Sequence, residues 1–406
     1  MKRKTTAAAA VPACYRQSFA VPFEYPVYFT RDVFRPSRPL LASAFGPTEH
    51  GHAHRVLVYV DDGVVHALPR LPARISAYFG CRPEFDLRLP PVVLPGGERA
   101  KEGWGAVQHV MTQLGEQRLC RHSYVVVVGG GSLLDAVGFA ASLVHRGVRL
   151  IRLPTTVLAQ NDAGVGVKNG MNEHGMKNFV GTFAPPHAVI NDFDFLETLE
   201  DVHWQGGISE AFKVALIRDA SFFAFLEKNA ARLRARVADA MEELVQRCAI
   251  LHLEHIRTGN DPFERGAARP LDFGHWAAHK LEAMSGFTLG HGQAVAIGIA
   301  LDCYYAAAKG LLRVNERDRI LHAMRKAGLV LWDDRLAAST QRGRLVILDG
   351  LDEFREHLGG QLTITLPDGI GKRVEVHAMD TRVLARGVAW LRAPVQKSLT
   401  ASLRTA

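Results

Sequence analysis

Short apolar runs punctuate the first half of the chain, each closed by turn residues. Arg55–Val60 (RVLVYV) is rich in β-branched residues and ends at Asp61-Asp62-Gly63. Tyr124–Val128 (YVVVV) runs into Gly129-Gly130-Gly131, and an apolar helical stretch continues from Ser132 to about Val144. Val148–Pro154 (VRLIRLP) and His187–Asp192 (HAVIND) follow. Apolar runs of this kind, alternating with helical segments, predict a parallel sheet buried on both faces.

Beyond about residue 201 the texture changes. Ser209–Asp219, Ser221–Ala235, Val237–Arg257, Gly274–Met284, Gly292–Lys309 and Asn315–Ala327 read as helices. One strand candidate remains there, near Gln361–Pro367 (QLTITLP). The predicted organisation is a disordered tail over residues 1–20, an α/β domain over 21–200 and a mostly helical domain over 201–395.

Composition narrows the class without naming a function. The 406 residues are 48% hydrophobic and 22% charged, ordinary values for a globular chain of two or three domains. They exclude a wholly disordered, collagen-like or coiled-coil chain, and no run of about 18 apolar residues predicts a membrane span. The formal charge is +8, but the basic residues form no long tract and no nucleic-acid-binding signature accompanies them. A phosphorylated metabolite suits that dispersed surplus better than nucleic acid. Cys14, Cys81, Cys120, Cys248 and Cys303 are odd in number and far apart, which argues against a disulfide framework and for a reducing, cytoplasmic compartment. The start, MKRKTTAAAAVPAC, is too weakly apolar for a signal peptide.

Three groups of residues carry candidate chemistry. VVVVGGGSLLD is strand, glycine turn and helix start, where backbone N–H groups can receive a phosphate. Alone it also describes a ligand-free βα turn. Asp61 closes an earlier strand, where an acid can accept ribose hydroxyls, and Thr155-Thr156 follow the next one. The pattern is not GxGxxG, so a plain Rossmann dehydrogenase is not implied. Glu210 (GGISEAFK), His275 (LDFGHWAAH) and His291 (TLGHGQAVAIG) are a donor set for Zn²⁺ or a similar divalent ion. His279 stands one helical turn beyond His275. Asp162, Lys168, Lys177 and Asn178 lie in a Gly-rich loop and Lys213 one turn after Glu210; an anionic substrate would order such a loop, although a solvated basic loop is the commoner case.

Together these motifs resemble the dehydroquinate synthase family of sugar phosphate cyclases. VDDGV, LPGGERAK, GGGSLLD, RGVRLIRLPTT, NDAGVGVK…MKNF with SEAFK, and DFGHWAAH…HGQAVAIG occur in family order from about Asp61 to Gly298. The resemblance implies an NAD-binding α/β domain, a helical metal-binding domain and a homodimer. It implies Glu210, His275 and His291 as ligands of Zn²⁺ or Co²⁺. Asp61, Glu98, Lys101, Gly130, Gly131, Asp135, Thr155, Thr156 and Thr198 fall on NAD-contacting positions. Asp162, Lys168, Lys177, Asn178, Lys213 and His279 fall on substrate or phosphate positions, and Arg146 on one that reaches the neighbouring subunit's phosphate. The implied reaction oxidises a secondary alcohol with NAD⁺, expels phosphate, returns the hydride and closes a carbocycle.

The sequence departs from the dehydroquinate branch before the first metal histidine. Ala268 replaces an arginine, Asp272 an asparagine, and Glu254 stands roughly where that branch has a lysine. The segment FREHLGG (Phe354–Gly360) also differs. Those basic groups receive a substrate carboxylate, so their loss favours sedoheptulose 7-phosphate over 3-deoxy-arabino-heptulosonate 7-phosphate. Arg269, one residue from the expected arginine, leaves 3-dehydroquinate synthase activity as the alternative. A metal-dependent polyol or glycerol dehydrogenase and a non-catalytic NAD-binding protein are further alternatives.

Overall fold

The structure, a computed structural model, describes residues 14, 16–48, 51–259, 261–263, 270–357 and 359–402. Most of the expected tail, and Ala268 and Arg269, lie outside the described residues. Eleven strands follow in chain order: β1 Val27–Thr30, β2 His54–Asp61, β3 Phe85–Leu87, β4 Val92–Leu94, β5 Tyr124–Gly129, β6 Arg149–Pro154, β7 Lys168–Glu173, β8 Met176–Phe183, β9 Ala188–Asp192, β10 Ile364–Pro367 and β11 Arg373–Val376. The first half also carries α1 Leu40–Ser43, α2 Asp62–Ala67, α3 Leu71–Gly80, α4 Gly105–Glu116 and α5 Gly131–Leu143.

Seven strands form one sheet in the order β1-β9-β6-β5-β2-β3, with β4 also pairing β2, and every pairing is parallel. Val56, Val58 and Val60 face one core, Leu57 and Tyr59 the other. Burial on both faces is why the runs lack hydrophobic-polar alternation. From β2 the chain moves out to β3 and β4, then returns past β2 to β5. The order therefore reverses between β2 and β5, whose carboxyl ends carry Asp61 and Gly129, the crevice where α/β sheets bind ligands.

The second half is built from α6 Asp201–Arg218, α7 Ala220–Arg234, α8 Ala238–Thr258, α9 His275–Met284, α10 His291–Ala308, α11 Val314–Lys326, α12 Asp349–His357 and α13 Thr381–Ser402, with the antiparallel pair β10-β11. The helices share one apolar core that includes Trp204, Phe212, Leu244, Trp276 and Leu301. Residue 201, not Ser209, opens α6. Its first turns hold Gly206-Gly207, which weaken helix propensity and hide the start from a sequence reading.

The Gly-rich stretch predicted as a loop is a β-hairpin. Strands β7 and β8 pair antiparallel, Gly170 opposite Gly181, with a shift between Met171 and Glu173. His174 and Gly175 between them both have positive φ, 52° and 73°, as a tight hairpin turn requires. The glycines and polar residues of the strands erased the alternation that would have announced them.

Candidate active site

The carboxyl ends of β2, β5 and β6 make one wall of a cleft. At the end of β5 the chain turns through Gly130 into α5, whose N-terminus has no side-chain cap and no acid in its first turn. Its N–H groups and the positive end of the helix dipole form a ready anion site. Thr155, next after β6, is buried and its hydroxyl has no hydrogen-bond partner. An orphan hydroxyl beside an uncapped helix terminus fits a bound pyrophosphate. Thr156 accepts the Ala159 N–H at 3.1 Å. Asp61 spends one oxygen on the N–H of Gly63, 2.8 Å away, and so caps α2. Lys101 reaches Asp135 of α5 at 2.5 Å and Asn178 of β8 at 2.6 Å. Glu98 receives Asn172 at 3.1 Å and Lys177 at 3.3 Å. These contacts fasten the hairpin to the glycine-turn wall.

The helical half makes the facing wall. Glu210 lies on α6, while His275 and His291 open α9 and α10. Glu210 Oε1 stands 3.5 Å from His291 Nε2 and 4.0 Å from His275 Nε2, and the three donor atoms lie within 4.8 Å of one another. Close helix contact permits this: a Cβ on Gly292 would sit 2.2 Å from the Gly206 carbonyl oxygen. Gly274, at φ 81°, turns the chain into α9 in the left-handed region, which costs about 1–2 kcal/mol for a residue with a Cβ. Buried Asp302 holds that turn, accepting the Gly274 N–H at 3.1 Å and the Trp276 indole at 2.9 Å.

His275 Nδ1 bonds the Phe273 carbonyl at 3.1 Å, and His291 Nδ1 faces Glu282 Oε2 at 3.3 Å. Both leave Nε2 for a ligand role, the outer support that metal-binding imidazoles need. Glu210 is fully buried, yet neither oxygen accepts a hydrogen bond of good geometry, though Lys213 Nζ sits against Oε2. An under-satisfied buried carboxylate facing two imidazole nitrogens fits Zn²⁺ or Co²⁺. Among the described residues no other group of three such side chains is close enough to hold an ion.

A chain of alternating charges surrounds this centre. Lys213 contacts Glu210 and stands 3.9 Å from Asp162, which lies 2.6 Å from His252 Nδ1. Asp162 sits in a π-helical turn, Ala159–Ala163, an irregularity frequent at functional sites. Burial opposes the Lys213 charge, but Asp162 and Glu210 outweigh it and hold the ammonium above its usual range. Burial alone would raise the Glu210 carboxyl; Lys213, with His291 and His275, brings it down to about 2. His291 goes the other way: burial disfavours its charge, yet Glu210 and Glu282 push it up to about 10. Asp272 ends below the usual carboxylate range despite burial, in the field of His275, Lys168, His279 and Lys213.

The 3-dehydroquinate synthase N-terminal family profile matches residues 91–206, and the C-terminal profile residues 207–345. A 2-epi-valiolone synthase of Actinosynnema mirum is 32% identical over 352 residues, 86% of this chain and 87% of its own length. The chain belongs to the dehydroquinate synthase family. A 3-dehydroquinate synthase of Rhodopseudomonas palustris is 34% identical over 71% of this chain and 76% of its own. The solved 2-epi-5-epi-valiolone synthase of Streptomyces hygroscopicus, with NAD⁺ and Zn²⁺ bound, matches at TM-score 0.82 and 30% identity, covering 94% of this chain and 100% of that one.

Measured against the dehydroquinate synthase positions expected from sequence, most residues gather at the cleft. Asp61, Gly130, Gly131, Asp135, Thr155 and Thr156 line the sheet edge; Glu98, Lys101, Lys177 and Asn178 join it to the hairpin. Lys168 opens β7. The His279 ring lies 5.4 Å from that of His275 and 6.3 Å from that of His291; it is open to solvent though ringed by protein, as in a deep cleft. Thr198 stands apart, bonding the Phe195 carbonyl at 3.2 Å and lining a separate cavity of about 260 Å³ with Leu68 and Leu71. Arg146 is exposed at φ 63° and makes no side-chain bond among the described residues. Glu254 is half-buried on α8 and pairs with Arg257. His252, Glu282 and Asp302 are additional site residues. Glu282, seven residues after His275 on one helix, was findable from helical spacing. His252 and Asp302 carry no local motif.

Proposed function

We propose that the chain is a sugar phosphate cyclase, a lyase that expels phosphate from a phosphorylated seven-carbon sugar and closes a carbocycle. Sedoheptulose 7-phosphate is the preferred substrate over 3-deoxy-arabino-heptulosonate 7-phosphate. The observation that carries this reading is the Glu-His-His donor set facing an uncapped helix terminus, with Lys168, Lys177 and Lys213 around the same cleft. When bound, NAD⁺ and a divalent ion supply reversible hydride removal and polarisation of adjacent oxygens.

Glu210, His275 and His291 hold the ion. The α5 terminus, Thr155, Thr156, Asp61, Glu98, Lys101 and Asp135 hold NAD; Thr198, in its separate cavity, does not. Lys213, kept charged by its two carboxylates, and His279 bind substrate oxygens and the charge that develops on them. Lys168, Lys177 and Asn178 receive the phosphate, and exposed Arg146 serves the partner subunit's site in a cytoplasmic homodimer. Asp272 accepts hydrogen bonds from hydroxyls and repels a carboxylate head group, which would be costly to bury unpaired. The 2-epi-valiolone synthase relative, covering more of the chain than the 3-dehydroquinate synthase one, supports the same preference.

A polyol dehydrogenase built on the same fold would accumulate NADH. Incubation with sedoheptulose 7-phosphate, NAD⁺ and Zn²⁺ or Co²⁺ separates the two readings. The cyclase releases phosphate with NAD⁺ unchanged; stoichiometric NADH without phosphate release contradicts it.

A further inference from the structure

Arg152 sits inside β6, opposite Val127 of β5 and Val189 of β9, and is completely buried. A guanidinium in that setting is costly unless its donors are satisfied. Among the described residues no carboxylate hydrogen-bonds it, and its Nε–H has no partner, so the two terminal nitrogens carry the compensation. Its partners are four oxygens of one short segment. Nη1 donates to the carbonyls of Gly164 at 3.1 Å and Gly166 at 2.8 Å. Nη2 donates to the Lys168 carbonyl at 3.0 Å and to Asn169 Oδ1 at 2.6 Å. The Tyr25 hydroxyl takes the intervening Val165 carbonyl at 2.8 Å. Beyond one backbone bond, from the Ala184 N–H to the Val167 carbonyl at 2.9 Å, the segment before β7 pairs with no strand among the described residues, and these side chains fix its path.

That segment carries Asp162 at one end and Lys168 at the other. Asn169, just beyond, extends the link to the cofactor wall. Its Oδ1 lies where a Cβ on Gly138 of α5 would come within 1.9 Å, and its amide donates to the Ala184 carbonyl at 3.1 Å. Thr155 and Thr156 come directly after the end of the strand that carries Arg152. One buried side chain therefore sets the spacing between the cofactor edge and two groups on the opposite side of the cleft.

The geometry points to Arg152 as a positioning residue of the reaction: it fixes Asp162 and Lys168 against the cofactor wall while touching neither substrate nor cofactor. This rests on the reading that those two residues face the sugar phosphate. A purely architectural role would give a loss of stability with no selective loss of turnover.

Arg152→Met, Arg152→Lys and Gly138→Ala test this beside Lys168→Ala, using thermal unfolding, NAD⁺ titration and steady-state kinetics with sedoheptulose 7-phosphate. Gly138→Ala leaves Arg152 in place and drives a methyl group onto Asn169, so it decides the matter if Arg152→Met does not fold. In folded variants, NAD⁺ affinity stays within about threefold of wild type while kcat/KM falls about 100-fold for Arg152→Met and about tenfold for Gly138→Ala, the scale of an ångström-sized misplacement. Arg152→Lys retains more activity than Arg152→Met, and Asn169→Ser partly rescues Gly138→Ala by relieving the clash. Near-normal kcat/KM in folded Arg152→Met and Gly138→Ala, with Lys168→Ala impaired, overturns the inference. So does an equal loss of NAD⁺ affinity and kcat/KM. A harmless Lys168→Ala would instead remove the functional reading beneath it, and the Arg152 role with it.

Discussion

The sheet edge offers mostly backbone to its ligand, whereas the helical half offers side chains. On the first wall the functional features are the glycine turn, an uncapped helix N-terminus and a hydroxyl, all placed by consecutive strands of one sheet. On the second, Glu210, His275 and His291 come from three helices and meet only because α6 and α10 touch through Gly206 and Gly292. A backbone-built site is stable to single side-chain changes, since the N–H groups remain. A side-chain site has no spare donor, and the charges around it must balance: Glu210 and Asp162 against Lys213, Glu282 against His291 and Lys177.

This contrast is broken most easily at the ligands. Glu210→Ala, His275→Ala and His291→Ala are each expected to lower turnover by at least about 1,000-fold and to lose bound metal, because three protein ligands leave no reserve. NAD⁺ binding should survive in all three. Metal analysis after dialysis checks this; full metal occupancy in any one variant would remove that residue from the centre.

Arg146 probes whether the cleft is complete within one chain. Arg146→Ala is expected to lose about 30- to 1,000-fold in kcat/KM, the scale of a charge-assisted bond to a desolvated anion. Mixed with inactive His275→Ala under conditions of proven subunit exchange, it should recover roughly a quarter of wild-type activity, since half the dimers then hold one intact site of two. No recovery would place Arg146 outside the partner's site.

A smaller effect sharpens the electrostatic side of the comparison. Glu210 and Glu282 raise His291 to about 10, so an ion entering near neutral pH must displace its proton. Metal affinity should weaken about tenfold per unit as pH falls between about 9 and 7, and buffers of different ionisation enthalpy should report about one proton released per ion. Affinity independent of pH over that range would mean His291 is already neutral. For the metal-free protein the sign is the usual one for a raised histidine: its stabilising contribution is full below an unfolded-state value of about 6.5 and is lost as pH rises through about 10.

The same contrast explains what was legible in the sequence. The strands announced themselves because burial on both faces leaves unbroken runs such as YVVVV, and the glycine turn followed them directly. The metal ligands were readable because each histidine sits beside a glycine that the packing demands. The hairpin was hidden: it offers the core little beyond Met171 and Val180, and its strands depend on backbone pairing and on Arg152. Asp302 and His252 were hidden because their partners are distant in sequence.

The central claim is that the cleft receives a phosphorylated seven-carbon sugar with a hydroxylated, uncharged head. The direct test is kcat/KM for phosphate release from sedoheptulose 7-phosphate and from 3-deoxy-arabino-heptulosonate 7-phosphate, with NAD⁺ and Zn²⁺ or Co²⁺ present and the carbocyclic product identified. The expected result is preference for sedoheptulose 7-phosphate by a factor on the order of 100 or more, the cost of leaving a buried carboxylate facing Asp272 unpaired. Preference for the keto acid phosphate, abolished in Arg269→Ala, would contradict it and make this chain a 3-dehydroquinate synthase.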